Sequence, residues 1–61
     1  MWVWGKVTVK EFRAKSSGYS SIHGEIQMHS KCVEIRSGVT NTGKKLDTYL
    51  CVDVIQKIEF D

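Results

Sequence analysis

Hydrophobic and polar residues alternate along most of the chain with a period of two, which is typical of strands that bury one face. The alternation is cleanest over residues 22–29. There the side chains predicted to face inward are those of Ile22, Ile26 and Met28, with Gly24 between them, while His23, Glu25, Gln27 and His29 face outward.

The same pattern predicts five short strands, over residues 2–13, 22–29, 32–36, 46–53 and 57–60. Serine and glycine between 16 and 21 indicate a loop, and residues 37–45 read as a long hairpin connection. We therefore expect an all-β fold, a small five-stranded antiparallel meander that stays open or curls into a barrel similar in architecture to SH3 and Sm domains.

A short C-terminal helix is an alternative for the segment after residue 51, because Val52, Ile55, Gln56 and Glu59 would share one helical face. In the all-β arrangement the inward positions instead predict the hydrophobic core. Its members are Val7, Val9, Ile22, Ile26, Val33, Ile35, Leu50, Val52, Ile58 and Phe60.

The length of 61 residues indicates a single small β domain spanning 1–61. A chain of this size buries only about 60% of its unfolded surface, so a partner subunit would add needed stability. Cys32 and Cys51 allow at most one disulfide, and the first residues show no signal-peptide pattern. We expect a cytoplasmic protein with free thiols that forms a homo-oligomer.

Charge is unevenly distributed, although the formal net charge is only +2. Residues 1–20 and 31–45 each carry a net +3, whereas residues 46–61 carry −3. Such a chain could pair head to tail with a second copy, or its charges could be ordinary solvated faces. The apolar runs are too short to span a membrane, so we expect no membrane partner.

The spacing of histidine and cysteine residues does not indicate a catalytic site or a metal site. His23 and His29 lie six residues apart on one strand, roughly 20 Å at about 3.3 Å per residue, which is too far to share an ion. Cys32 could approach His29 across a turn, but so short a chain cannot enclose a water-excluding cleft. We expect no enzyme activity, no catalytic residue, no metal and no cofactor.

The segment Gly38–Lys45 matches the G-x-x-x-x-G-K part of a phosphate-binding loop, yet Lys45 stands where serine or threonine should hold magnesium. A strand also follows it, where such loops lead into a helix. The segment is therefore either a solvated hairpin tip or an anion site completed by neighbouring side chains. The predicted ligand-binding residues are Trp4, Tyr19, Arg36, Thr40, Asn41, Thr42, Lys44 and Lys45.

One face of the first strand alternates aromatic and basic character, through Trp2, Trp4, Lys6, Thr8, Lys10 and Phe12. Such a face can stack on bases and meet phosphates, or it can be a core or subunit contact. Two functions follow as hypotheses. The first is a homo-oligomer that binds or sequesters an anionic nucleotide-type ligand, a small nucleotide or a short nucleic acid. The alternative is a protein-interaction module, such as a phage or mobile-element inhibitor of a partner enzyme.

Overall fold

A computed structural model describes residues 1–61 and shows a mostly β domain, which confirms the expected fold class. The five strands are antiparallel and form one sheet. In chain order the elements are β1 (Val3–Val9), α1 (Glu11–Ser17), β2 (Ser21–Met28), β3 (Cys32–Thr40), β4 (Lys45–Cys51), a 3-10 turn (Val52–Val54) and β5 (Ile55–Phe60).

The sheet has the strand order β4-β3-β2-β1-β5, so β1 to β4 form a meander and β5 returns to pair with β1. Its two edge strands, β4 and β5, are joined only by the three residues of the 3-10 turn. Because three residues reach about 10 Å at most, the sheet must curl until its edges approach. The edges do not pair with each other, so the curled sheet is not closed into a barrel.

The curl is accompanied by irregular pairing in the middle of the sheet. The register of β2 with β3 shifts between His23 and Glu25, and that of β3 with β4 shifts between Ile35 and Gly38. At this point the backbones come very close, because a Cβ on Gly38 would lie 2.6 Å from the Leu46 carbonyl oxygen. Bulges of this kind bend a strand and increase its twist.

The chain departs from the predicted first strand after Val9, where β1 ends and α1 begins shortly afterwards. Gly18 ends the helix in the left-handed conformation, with φ 84, and donates its N–H to the Ala14 carbonyl oxygen. Alternation through Phe12 predicts a longer strand, but Phe12 points to solvent. At the other end, the helix considered after residue 51 does not extend beyond the 3-10 turn, because residues 55–60 pair with β1.

Seven predicted core residues are buried: Val7, Val9, Ile22, Ile26, Val33, Ile35 and Leu50. Tyr19 joins them, and Ile58 is half-buried against them. The prediction is wrong for Val52 and Phe60, which are 49% and 53% exposed. Val52 lies in the 3-10 turn, and Phe60 lies opposite Gly5 at the end of the core that no helix covers.

Ala14 from α1 and Val54 from the 3-10 turn pack against the core. Both elements also line one cavity of about 230 Å³ with the end of β4. No helix in the structure has the length and apolar character needed to cross a membrane.

Candidate functional site

The face of the sheet opposite the core is open to solvent, and we call it the outer face. Its side chains alternate with more buried ones along most of β1 to β4. Aromatic and charged side chains dominate it. They include Trp2, Trp4 and Lys6 beside or in β1, His23 and Glu25 in β2, Glu34 and Arg36 in β3 next to the apolar Val39, Lys45 and Tyr49 in β4, and Asp61 after β5.

Trp2 and Arg36 form the first contact on the outer face. The guanidinium carbon of Arg36 lies 3.9 Å from the centroid of the Trp2 ring. Its Nε donates to Glu25 Oε1 at 3.3 Å, across the paired strands β2 and β3. The ion pair and the ring together hold the guanidinium in place, and a cation–π contact at an exposed site stabilises by about 0.5–1 kcal/mol.

Trp4 forms the second contact, across the paired strands β1 and β2. Its ring centroid lies 5.8 Å from that of His23, and His23 Nε2 lies 2.9 Å from Asp61 Oδ2. The backbone N–H of Asp61 donates to the Trp4 carbonyl oxygen at 3.0 Å. Trp4 remains 47% exposed, so much of its ring is available to a ligand or partner.

Glu34 joins two side chains at another part of the outer face. The Tyr49 hydroxyl donates to Glu34 Oε2 at 3.0 Å, and His29 Nε2 lies 3.1 Å from Oε1. The hydrogen bond to Glu34, and then the negative charge of that carboxylate, raise the pKa of Tyr49 above its ordinary value. Both effects favour the protonated phenol, which can donate a hydrogen bond.

Charges on the outer face nearly cancel. The strand register places four basic and five acidic side chains there. They are Lys6, Arg36, Lys45 and Lys57 against Glu25, Glu34, Asp47, Glu59 and Asp61. Binding to a long polyanion depends on many unopposed cations, so this face is poorly suited to it.

Three of the predicted ligand-binding residues have a role within the fold itself, Tyr19 by burial and Thr40 and Asn41 by hydrogen bonds. Tyr19 is only 8% exposed and belongs to the core. The Thr40 hydroxyl is buried and hydrogen-bonds the Thr42 hydroxyl at 2.8 Å. Asn41 Oδ1 accepts from the backbone N–H groups of Ser20 and Ser21, at 2.9 and 3.3 Å.

The remaining predicted residues fall into two places. Trp4, Arg36 and Lys45 lie on the outer face, whereas Lys44 lies at the tip of the β3–β4 hairpin with Thr42. The backbone N–H of Gly43 donates to the Thr40 carbonyl oxygen, and that of Lys44 donates to the Thr40 hydroxyl. Two N–H groups of the tip, those of Gly43 and Lys44, are therefore used within the hairpin, and the lysine side chains supply the positive charge that an anion would meet.

Sequence reasoning missed Trp2, His23, Glu25 and Tyr49 as parts of one surface. Their outward direction could be predicted from the alternation, but their proximity depends on strand register. The register places Trp4 opposite Glu25 and Glu25 opposite Arg36. The alternation within a single strand does not show which residue of the next strand lies opposite.

No set of three or more His, Cys, Asp or Glu side chains is arranged to hold a metal ion. The His29 ring is paired with Glu34, and His29 contacts Cys32 through its backbone, whose N–H donates to the Cys32 carbonyl oxygen at 2.9 Å.

Comparison of the chain with protein-family models, with curated proteins and with solved structures finds no match. Function must therefore be inferred from the geometry of the outer face and of the hairpin tip.

Proposed function

We propose that this protein is a non-enzymatic interaction module that binds another protein through its outer face. The observation that carries the proposal is the Trp2–Arg36 stack beside a half-exposed Trp4 on an uncovered sheet. Tryptophan, tyrosine and arginine are the residues that dominate binding energy at protein interfaces, where they lie near the centre of the contact.

The outer face is also pre-ordered for binding. Arg36 is held by Trp2 and Glu25, and His23 is held between Trp4 and Asp61. Side chains fixed before association lose less conformational entropy when a partner arrives, so more of the contact energy appears as affinity. Mixed charges around the aromatic rings suit a protein partner of mixed charge, because complementary potentials confer specificity.

A nucleotide-type ligand is the second candidate, supported by the two lysines of the hairpin. Neither Lys44 nor Lys45 forms an ion pair, and Lys45 shares the outer face with Arg36 and Trp4. A base could stack on Trp4 while the cations meet phosphate, a contact in which stacking contributes roughly 1–3 kcal/mol.

The first experiment captures binding partners on the immobilised protein from an extract of its native source, followed by titration of the purified partner. Trp4→Ala and Arg36→Ala should each weaken partner binding at least tenfold. Phe12→Ala is the matched control, because Phe12 is an aromatic residue at least as exposed as Trp4 and lies on α1, away from the outer face. A partner that binds all three variants alike would contradict the proposal.

The second experiment distinguishes the two candidates by ligand class and salt. Calorimetry against mono-, di- and cyclic dinucleotides and short single strands should show no binding tighter than millimolar. The nucleotide candidate replaces the protein partner if two results are found together. One of these ligands binds with an affinity that falls steeply as salt is raised, and the double change Lys44→Ala, Lys45→Ala weakens that binding.

A further inference from the structure

Two free thiols face each other across the β3–β4 ladder. Cys32 and Cys51 are direct register partners, at the first residue of β3 and the last residue of β4. Their neighbours Val33 and Leu50 are buried, so both cysteine side chains point to the outer face. Two residues 19 positions apart in sequence are thus brought side by side by strand pairing alone.

The hydrogen bonds identify which kind of cross-strand pair this is. The Val52 N–H donates to the Lys31 carbonyl oxygen at 3.1 Å, immediately beyond the two cysteines. Cys32 and Cys51 therefore occupy a non-hydrogen-bonded position, where the Cα atoms of an antiparallel pair lie about 4.5 Å apart and side chains are closest. Disulfides need a Cα separation of about 4.4–6.8 Å, so this pair lies at the short end of the permitted range.

We propose that Cys32 and Cys51 form a reversible cross-strand disulfide by exchange with a small disulfide of the glutathione type. Cys51 is exposed and Cys32 half-buried, and exposed disulfides are the easily reduced ones, which suits a modification site more than a permanent cross-link.

The exchange proceeds in two balanced steps. The thiolate of Cys51, the more exposed cysteine, attacks one sulfur of glutathione disulfide, forming a mixed disulfide and releasing one glutathione thiol. The thiolate of Cys32 then attacks the Cys51 sulfur and expels the second glutathione thiol. The pair gives up two electrons and two protons, and one glutathione disulfide is reduced to two thiols.

Closure of the bond would fix the point where β4 enters the 3-10 turn. That turn carries Val54 against the core and leads directly into β5. Oxidation should therefore slow hydrogen exchange of the Val52 amide, whose bond to Lys31 lies beside the disulfide.

The test incubates the protein with glutathione disulfide and follows intact mass and free thiols. We expect the wild type to lose both thiols as a single chain two hydrogens lighter, and excess reduced glutathione to restore them. Cys32→Ser should trap glutathione on Cys51, and Cys51→Ser should react more slowly at Cys32.

Three results would overturn the proposal. The first is that the wild type accumulates stable glutathione adducts. The second is that two chains become linked by a disulfide, with a yield that rises with protein concentration. The third is that an internal disulfide forms but excess reduced glutathione fails to open it. A Val52 amide that exchanges at the same rate in both states would contradict the effect on the turn.

Discussion

At the residue scale, a polar side chain in so small a domain often holds the fold together. The sequence predicts that Asn41 binds a ligand. In the structure its side-chain Oδ1 instead accepts from the backbone N–H groups of Ser20 and Ser21, which joins the hairpin to the start of β2. Composition could identify the loop but not this role, because the contact spans 21 residues in sequence. The binding role of Thr40, Asn41 and Thr42 stays a prediction, and the structure makes their internal role testable.

Asn41→Ala should lower the free energy of unfolding by about 0.5–1.5 kcal/mol, since two N–H groups lose their protein acceptor but can still reach water. Asn41→Asp is the control, because it keeps the acceptor oxygen. Urea denaturation measures both variants. An unchanged midpoint for Asn41→Ala would show that the two bonds contribute nothing to stability.

Tyr49 should titrate above the ordinary tyrosine value of about 10, because Glu34 stabilises the neutral phenol. A raised folded-state pKa means that the contribution of this hydrogen bond to stability is present below the unfolded value and is lost as pH rises through the folded value. Ultraviolet absorbance of tyrosinate measures the titration, with Tyr49→Phe isolating the signal of Tyr19. Glu34→Gln should bring the Tyr49 titration down, and an unchanged curve would show that Glu34 does not cause the raised pKa.

At the element scale, the alternation predicted the central strands well because each of them buries one face. Ile22 and Ile26 in β2, and Val33 and Ile35 in β3, all lie in the core as expected. The helix α1 escaped prediction because its seven residues bury no side chain fully and depend on the Gly18 cap and on Ala14 packing. The pairing of β5 with β1 also has no local signal, since it results from the curl of the whole sheet.

Gly38→Ala should destabilise the protein by about 1–3 kcal/mol, because the added methyl would overlap the Leu46 carbonyl oxygen and the Ile22 side chain. The bulge that lets β3 and β4 approach would have to open. Val39→Ala, the next residue on the exposed face of β3, is the matched control and should cost much less. Thermal unfolding of both variants measures the difference in stability. Equal losses of stability would mean that the close backbone approach at Gly38 does not exclude a side chain there.

At the scale of the whole molecule, the fold accounts for the uneven charge along the chain. The basic beginning and the acidic end meet within one chain, because β1 pairs with β5 and sets Lys6 opposite Glu59. Head-to-tail attraction between copies is therefore no longer needed to explain the pattern. Self-association stays a prediction for a different reason. Val3, Met28 and Phe60 lie on adjacent strands at the uncovered end of the core, and all three are exposed.

We expect the wild type to sediment at micromolar concentration as a multiple of the 7.0 kDa chain, with this apolar end as the contact. Phe60→Lys should reduce the mass to that of one chain and make the melting temperature independent of protein concentration, because association then no longer stabilises the fold. Trp4→Ala is the control and should keep the assembly. A wild type that sediments as a single chain would refute self-association. If instead Trp4→Ala dissociates the assembly and Phe60→Lys does not, the outer face is occupied by a second copy, and the proposal that it binds a different protein fails.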